Sequence, residues 1–145
     1  MSGYILDKAY RISQSGGVGS YLVVVQGTNA GEAKLPAANA AGILGVTVHS
    51  QLNGANVAVR KAGIAKVTAA GPVKPGDPVC VADNSGRIAP CEEIAKKIRD
   101  EVCAIKGEEL RTVMYRINCL GFAETGAESV GDICEVFISL HERLG

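Results

Sequence analysis

The chain has no tryptophan and few other aromatic residues, with four tyrosines and two phenylalanines among 145 positions. None of them lies in residues 22–114, so that interval must be packed with Ala, Val, Ile and Leu. A net charge is also lacking, because fifteen basic residues balance fifteen acidic ones. This balance argues against a general nucleic-acid binder, because such proteins carry a surplus of positive charge. It conceals an asymmetry, since residues 1–90 carry a net charge of +4 and residues 91–145 a net charge of −4.

Long apolar runs are absent as well. The longest, residues 21–25, falls far short of the roughly 18 residues that span a bilayer, and residues 1–8 lack the features of a signal peptide. We therefore expect the chain to be synthesised in the cytoplasm and not to associate with a membrane. The proportions of 47% hydrophobic and 21% charged residues indicate a folded protein, and the length fits a single domain over residues 1–145.

The cysteines form no C-x-x-C motif. They are five in number, an odd count, and eleven to sixteen positions separate neighbours in the series Cys80, Cys91, Cys103, Cys119 and Cys134. We predict that they are buried as small apolar residues, because free cysteine is among the most buried residue types. A zinc site assembled from scattered ligands is the alternative, and disulfides are the least expected outcome in a reducing compartment.

Up to Pro90 the sequence has the pattern of short strands separated by turns. Runs of β-branched residues and period-two alternation predict strands over residues 21–25, 43–48, 56–61, 64–69, 79–82 and 87–89. We expect residues 56–61 and 64–69 to pair as a hairpin. Residues 83–86 are predicted to form a tight turn between the last two strands.

After Pro90 the apolar residues follow a helical period, which predicts one helix over about residues 91–106. A strand is predicted from about residue 113 to 122 and another over residues 133–140, with a loop between them. The expected fold class is therefore mainly β, a small antiparallel β-barrel or sandwich with one inserted α-helix.

Motifs for catalysis or cofactor binding are scarce. The glycine-rich residues 16–20 lack the lysine of a phosphate-binding loop and lead into a strand. Two histidines, His49 and His141, lie far apart, and no nucleophile motif is present. The turn at residues 73–79 resembles one in biotinyl and lipoyl carrier domains. However, Lys8, the candidate for the modified lysine of such a domain, is far from that turn in the sequence. We expect no catalytic residue, no metal and no cofactor.

Several segments taken in order resemble the capsid decoration, or cement, proteins of tailed bacteriophages. The similarity covers roughly residues 40–90 and 119–140. It rests on an "iGV" strand at residues 42–47, a strand pair around Gly63 at residues 57–67 and a "G-D-x-v" turn at residues 73–79. A short segment at residues 86–88 and a closing strand pattern over residues 121–136 complete it. Residues 91–118 depart from the family pattern and are interpreted as a helical insertion.

The resemblance implies a small β-rich structural protein, often trimeric, that binds the outside of a phage capsid and stabilises it without catalysis. It implies the major capsid protein and a homotrimer as partners, with no nucleic acid or membrane, and a location on the exterior of the virion. Two alternatives remain. One is a barrel-sandwich module that carries a small molecule in a cytoplasmic complex, and the other is a metal-dependent enzyme that uses the cysteines.

In related decoration proteins the N-terminal arm commonly contacts the capsid or a neighbouring subunit. By this resemblance, residues 1–20 are interpreted either as such an arm or as the first strand of the barrel. The apolar and aromatic residues suited to contacts with the capsid or another subunit are Tyr4, Ile5, Leu6, Tyr10 and Ile12.

Overall fold

Ten β-strands and one α-helix occupy residues 5–106 and 116–144, which are the residues described by this computed structural model. The first five strands are β1 (Leu6–Ile12), β2 (Val23–Gln26), β3 (Glu32–Lys34), β4 (Ile43–Thr47) and β5 (Asn56–Ala62). They close into a barrel in the order β1-β3-β2-β4-β5. Neighbouring strands in this barrel are antiparallel, except for the parallel pair of β1 and β3.

A second sheet contains the other five strands. They are β6 (Ile64–Thr68), β7 (Pro78–Val81), β8 (Ile88–Pro90), β9 (Arg116–Ala123) and β10 (Ile133–Leu144), in the order β6-β10-β9-β7-β8. The helix α1 (Cys91–Lys106) connects β8 to the residues that precede β9. This architecture confirms the predicted mainly β fold with one inserted helix over residues 91–106.

The barrel and the second sheet share a core. Val23 and Val46 of the barrel belong to the same buried cluster as Val67, Leu120 and Val136 of the second sheet. A separate cluster fills the barrel interior, and its fully buried members are Ile12, Val24, Ala33, Val57 and Val59. Because each strand alternates between two faces, one side of the second sheet is occupied by this shared core and the other side faces outward.

The predicted hairpin of residues 56–61 and 64–69 is wrong. Gly63, with a φ of +90°, is the one residue between β5 and β6, and the two strands belong to different sheets. Hairpin loops contain two or more residues, so one residue cannot reverse the chain. Instead, the left-handed backbone at Gly63 directs the chain from the barrel into the second sheet.

The hairpin of β7 and β8 is confirmed. Val79 pairs with Pro90 and Val81 pairs with Ile88 across residues 83–86. Within the turn, Arg87 Nη2 lies 2.7 Å from Asp83 Oδ2.

The helix packs against the outer side of the second sheet. Its buried residues Cys91, Ile94 and Ala95 form a cluster with Cys80, Ala89, Ile117 and Cys119 of β7, β8 and β9. Of the strand predicted over residues 113–122, positions 113–115 lie outside the described residues, and residues 116–122 belong to β9. No helix in the described ranges has both the length and the hydropathy needed to cross a bilayer.

Candidate interaction surface

The outer side of the second sheet is only partly covered by α1. The helix packs on β7, β8 and the beginning of β9 through Ile94 and Ala95. Along β10, the buried residues Val136 and Ile138 point into the shared core. Phe137 lies between them and therefore points outward. The outer side of β6, β10 and the end of β9 thus forms an exposed surface beside the helix.

Both phenylalanines of the chain lie on this exposed surface. Phe122 is 38% exposed and Phe137 is 46% exposed, and the two residues are direct partners in the register of β9 and β10. Ile64 of β6, 41% exposed, is the partner of Phe137 on its other side. The Cβ atoms of such partners lie about 4.5–5.5 Å apart, so the three side chains form a continuous apolar row across three strands.

Two further residues lie on the same side of the sheet as this row. Ile133, which is 45% exposed, lies on the same side of β10 as Phe137. The imidazole of His141 stacks on Phe122 with ring centroids 5.1 Å apart and an interplanar angle of 11°. We call the resulting surface the aromatic face and define it by Ile64, Phe122, Ile133, Phe137 and His141.

The orientation of His141 is fixed by a second contact. Its Nδ1 atom lies 2.7 Å from the carbonyl oxygen of Ser139, so Nδ1 carries a hydrogen and donates it there. The other ring nitrogen, Nε2, is buried and has no hydrogen-bond partner among the described residues. The stack and the Nδ1 hydrogen bond together hold the Phe122 side of the aromatic face in a defined shape.

Charged residues of both signs interrupt the aromatic face. Lys66 of β6 and Glu135 of β10 are direct partners in the register, between the row that contains Phe137 and the pair of Thr68 and Ile133. Both side chains are exposed. One positive and one negative group therefore add no net charge. Apolar centres with polar neighbours of this kind are typical of protein–protein interfaces.

An ion pair connects the edge of this surface to the barrel. Arg60 donates two hydrogen bonds to the carboxylate of Asp7, one from Nε to Oδ1 at 2.9 Å and one from Nη2 to Oδ2 at 3.1 Å. The hydrogen bonds from Arg60 hold the pKa of Asp7 below its ordinary value. Arg60 Nη1 also donates to the carbonyl oxygen of Ile64 at 3.2 Å. The same side chain thus joins β1, β5 and the start of β6.

A groove lies beside this ion pair, and one of the residues that line it has an unusual backbone conformation. The volume of the groove is about 240 Å³, and Tyr21, Arg60 and Glu135 are among the residues that line it. Tyr21 has a φ of 59°, in the left-handed region that non-glycine residues seldom adopt. Buried Thr47 stabilises this turn, because its hydroxyl donates to the Gly19 carbonyl at 2.8 Å and accepts from the Leu22 amide at 3.1 Å.

The five residues predicted as contacts do not form one surface. Tyr4 lies outside the described residues, and Ile5 and Leu6 are 53% and 43% exposed at the start of β1. Tyr10 and Ile12, by contrast, are buried in the barrel interior. Residues 6–12 form a barrel strand because β1 pairs with β5 on one side and β3 on the other, which is the second of the two interpretations of the N-terminal segment.

Phe122 and Phe137 are not among the contact residues predicted from the sequence. A signal for Phe137 was present, because alternation along residues 133–138 places it on the side opposite Cys134 and Val136. No comparable local signal exists for its pairing with Phe122, since that depends on how β9 and β10 align.

The predicted burial of the cysteines is confirmed for Cys80, Cys91, Cys119 and Cys134. The side chain of Cys103 lies outside the described residues. Burial raises the pKa of the Cys134 thiol. Three of the four, Cys80, Cys91 and Cys119, meet beneath α1. In residues 5–106 and 116–144, no group of three or more His, Cys, Asp or Glu residues has an arrangement that could hold a metal ion.

Comparison with known proteins gave a match only at the level of structure. No protein-family model matches the sequence, and no curated protein matches it. The chain is similar to the crystal structure of the head fiber gp8.5 N base in bacteriophage phi29, with a TM-score of 0.57 and 18% sequence identity. The alignment covers 94% of this chain and 95% of that one, which shows that the two share a fold over nearly their full lengths.

Proposed function

We propose that this chain is a structural protein of a phage virion that binds the outer surface of the capsid, stabilises it and catalyses no reaction. Two independent similarities support this function. The sequence segments at residues 40–90 and 119–140 resemble capsid decoration proteins, and the whole fold is similar to the base of a phage head fiber. Both similarities lead to proteins of the phage head.

The observation that carries the proposal is the exposure of both phenylalanines on adjacent, directly paired strands. Full burial of an exposed phenylalanine contributes about 1.5–3 kcal/mol, and covering the exposed part of each ring here contributes a little under half of that. A chain with so few aromatic residues gains nothing from leaving two of them in water unless another molecule covers them. The occupant proposed for the aromatic face is the major capsid protein.

A homotrimer on the capsid is part of the same proposal. Many copies must then lie close together, and a net charge of zero keeps their mutual repulsion small. Ile5 and Leu6, which are exposed at the start of β1, are proposed contacts to the capsid or to a neighbouring subunit. The mass of the purified protein and of the protein released from capsids, measured by light scattering, tests the trimer.

The experiment that tests the function uses expanded capsids assembled without this protein. Purified protein is added, unbound protein is removed by sedimentation, and the capsids are heated. We expect saturable binding and a higher temperature of capsid disruption. An equal amount of an unrelated protein of similar size is the control for crowding. Absence of saturable binding, or binding without any gain in heat resistance, would contradict the proposed function.

A further inference from the structure

The cluster of cysteines beneath α1 contains one unusually close pair. Cys91 is the first residue of α1 and Cys119 lies on β9, and their Sγ atoms are 2.8 Å apart. This separation is shorter than van der Waals contact between two unbonded sulfur atoms. A disulfide bond is about 2.05 Å long, so less than one ångström of movement would join the two atoms.

We propose that Cys91 and Cys119 are a redox modification site, at which a hydroperoxide converts the two thiols into an intrachain disulfide. Cys80 is the third member of the cluster and the register partner of Cys119 on β7. In the structure all three are free thiols. The bond would fix the first turn of α1 to β9 and close a covalent loop over residues 91–119.

The surroundings of the two thiols slow their oxidation. Cys91 is 5% exposed and Cys119 is 1% exposed. Burial and the neighbouring Cys91 raise the pKa of Cys119 to about 12, and the pKa of Cys91 is raised as well, chiefly by its contact with Cys80. Since the thiolate is the reactive form, both sulfurs react slowly at neutral pH.

A cavity borders Cys119 and could admit a small oxidant near it. Its volume is about 290 Å³, and it is lined by Cys119, Asn118 and His141, together with residues 41–43. Hydrogen peroxide is small enough to enter a space of this size, whereas oxidised glutathione, two tripeptides joined by a disulfide, is too large for it. The structure therefore favours a peroxide over a bulky disulfide as the oxidant.

The reaction balances in two steps. The Cys119 sulfur attacks one peroxide oxygen and the O–O bond breaks, which leaves a sulfenic acid on Cys119 and releases the other oxygen as water. The Cys91 sulfur then attacks the Cys119 sulfur, the S–O bond breaks, and the hydroxide leaves with the thiol proton as a second water. Two thiols are oxidised and one peroxide is reduced to two waters.

The experiment treats the reduced, folded full-length chain with hydrogen peroxide, then alkylates remaining thiols in denaturant and digests without reduction. Trypsin places Cys91 in the peptide of residues 88–96 and Cys119 in that of residues 117–143. We expect these peptides to be linked, with the loss of two hydrogen atoms. Because the second peptide also holds Cys134, the Cys134→Ala variant identifies the partner and should retain the link.

Two variants and one physical measurement complete the test. Cys80→Ala should keep the link, and Cys119→Ala should abolish it. Oxidation of the wild-type chain should raise its melting temperature by about 5–10 °C, and Cys119→Ala should remove that rise. Full alkylation of Cys91 and Cys119 in the peroxide-treated wild-type chain would overturn the proposal, and so would a link from Cys91 to any other cysteine. The wild-type digest gives this answer even if a variant fails to fold.

Discussion

The bidentate ion pair of Asp7 and Arg60 shows how one side chain makes folding sensitive to pH. The pKa of Asp7 is lowered from its ordinary value of 3.8 in the folded chain, because Arg60 donates hydrogen bonds to the ionised carboxylate. A lowered folded-state pKa stabilises the fold fully above the unfolded-state value. That contribution is lost as the pH falls through the lower, folded-state value.

Asp7→Asn should therefore destabilise the chain by about 0.5–1 kcal/mol at pH 7, a small amount because both side chains are partly exposed. The difference from the wild-type chain should disappear as the pH falls below 3.8. Urea unfolding of both chains from pH 7 to pH 2 measures this. Asp132, whose pKa is also lowered, is present in both chains and cancels in the comparison. A difference that stays constant with pH would rule out the ion pair as its cause.

The second residue-scale prediction concerns Thr47, which is 1% exposed. Thr47→Val keeps the shape of the side chain but removes the acceptor of the Leu22 amide and the donor to the Gly19 carbonyl. We expect a loss of about 1–3 kcal/mol in the free energy of unfolding, because an unpaired buried polar group is costly. Thr68→Val on β6 is the matched control and should change stability by less than about 0.5 kcal/mol. Equal effects would contradict this role for Thr47.

Among the elements, β9 and β10 pack so closely at Gly121 that no side chain fits there. A Cβ atom at this position would collide with the carbonyl oxygen of Phe137 on β10. Gly121 is thus required by space rather than by a left-handed backbone. The close approach brings Phe122, the next residue, opposite Phe137.

Gly121→Ala should destabilise the chain by at least about 2 kcal/mol, because backbone atoms of two central strands would have to separate. Gly71→Ala is the control, since no heavy atom lies within 4 Å of a Cβ placed there. Its effect should stay within about 0.5 kcal/mol. Thermal unfolding of the two variants measures the contrast. A neutral Gly121→Ala would show that β9 and β10 are less tightly paired than described.

The elements that could be predicted from the sequence are those with a long or locally coded pattern. The helix at residues 91–106 has four turns of apolar periodicity, and β10 has a clear alternation with period two. By contrast, β3 has three residues, too few for any period, and exists because β1 and β2 flank it. The hairpin at Gly63 was predicted incorrectly because alternation reports strands but not their partners.

At the scale of the whole molecule, the candidate site could be predicted only in part. The proposed role in the phage head came from a family resemblance in the sequence, whereas the structural similarity shows the fold. The surface itself could not be predicted, because it depends on the register of Phe122 with Phe137 and on which half of the sheet α1 leaves uncovered. Tyr10 was predicted as a contact residue because the sequence alone does not show that β1 pairs with a strand on each side. This pairing places Tyr10 in the barrel interior.

The proposed binding of the aromatic face to the capsid is tested by truncating its two phenylalanine rings. Phe122→Ala and Phe137→Ala each remove a partly exposed ring outside the buried clusters, so the isolated chain should lose some stability but stay folded. Leu52→Ala is the control, because Leu52 is 74% exposed in the connection between β4 and β5, away from the aromatic face. Circular dichroism should show all three variants folded.

The decisive measurement is the dissociation constant of each variant on expanded capsids that lack this protein, determined by titration and sedimentation. We predict that the dissociation constant rises at least tenfold for Phe122→Ala and for Phe137→Ala, which corresponds to about 1.4 kcal/mol each. The dissociation constant of Leu52→Ala should equal that of the wild-type chain. Wild-type affinity in both phenylalanine variants would contradict the claim.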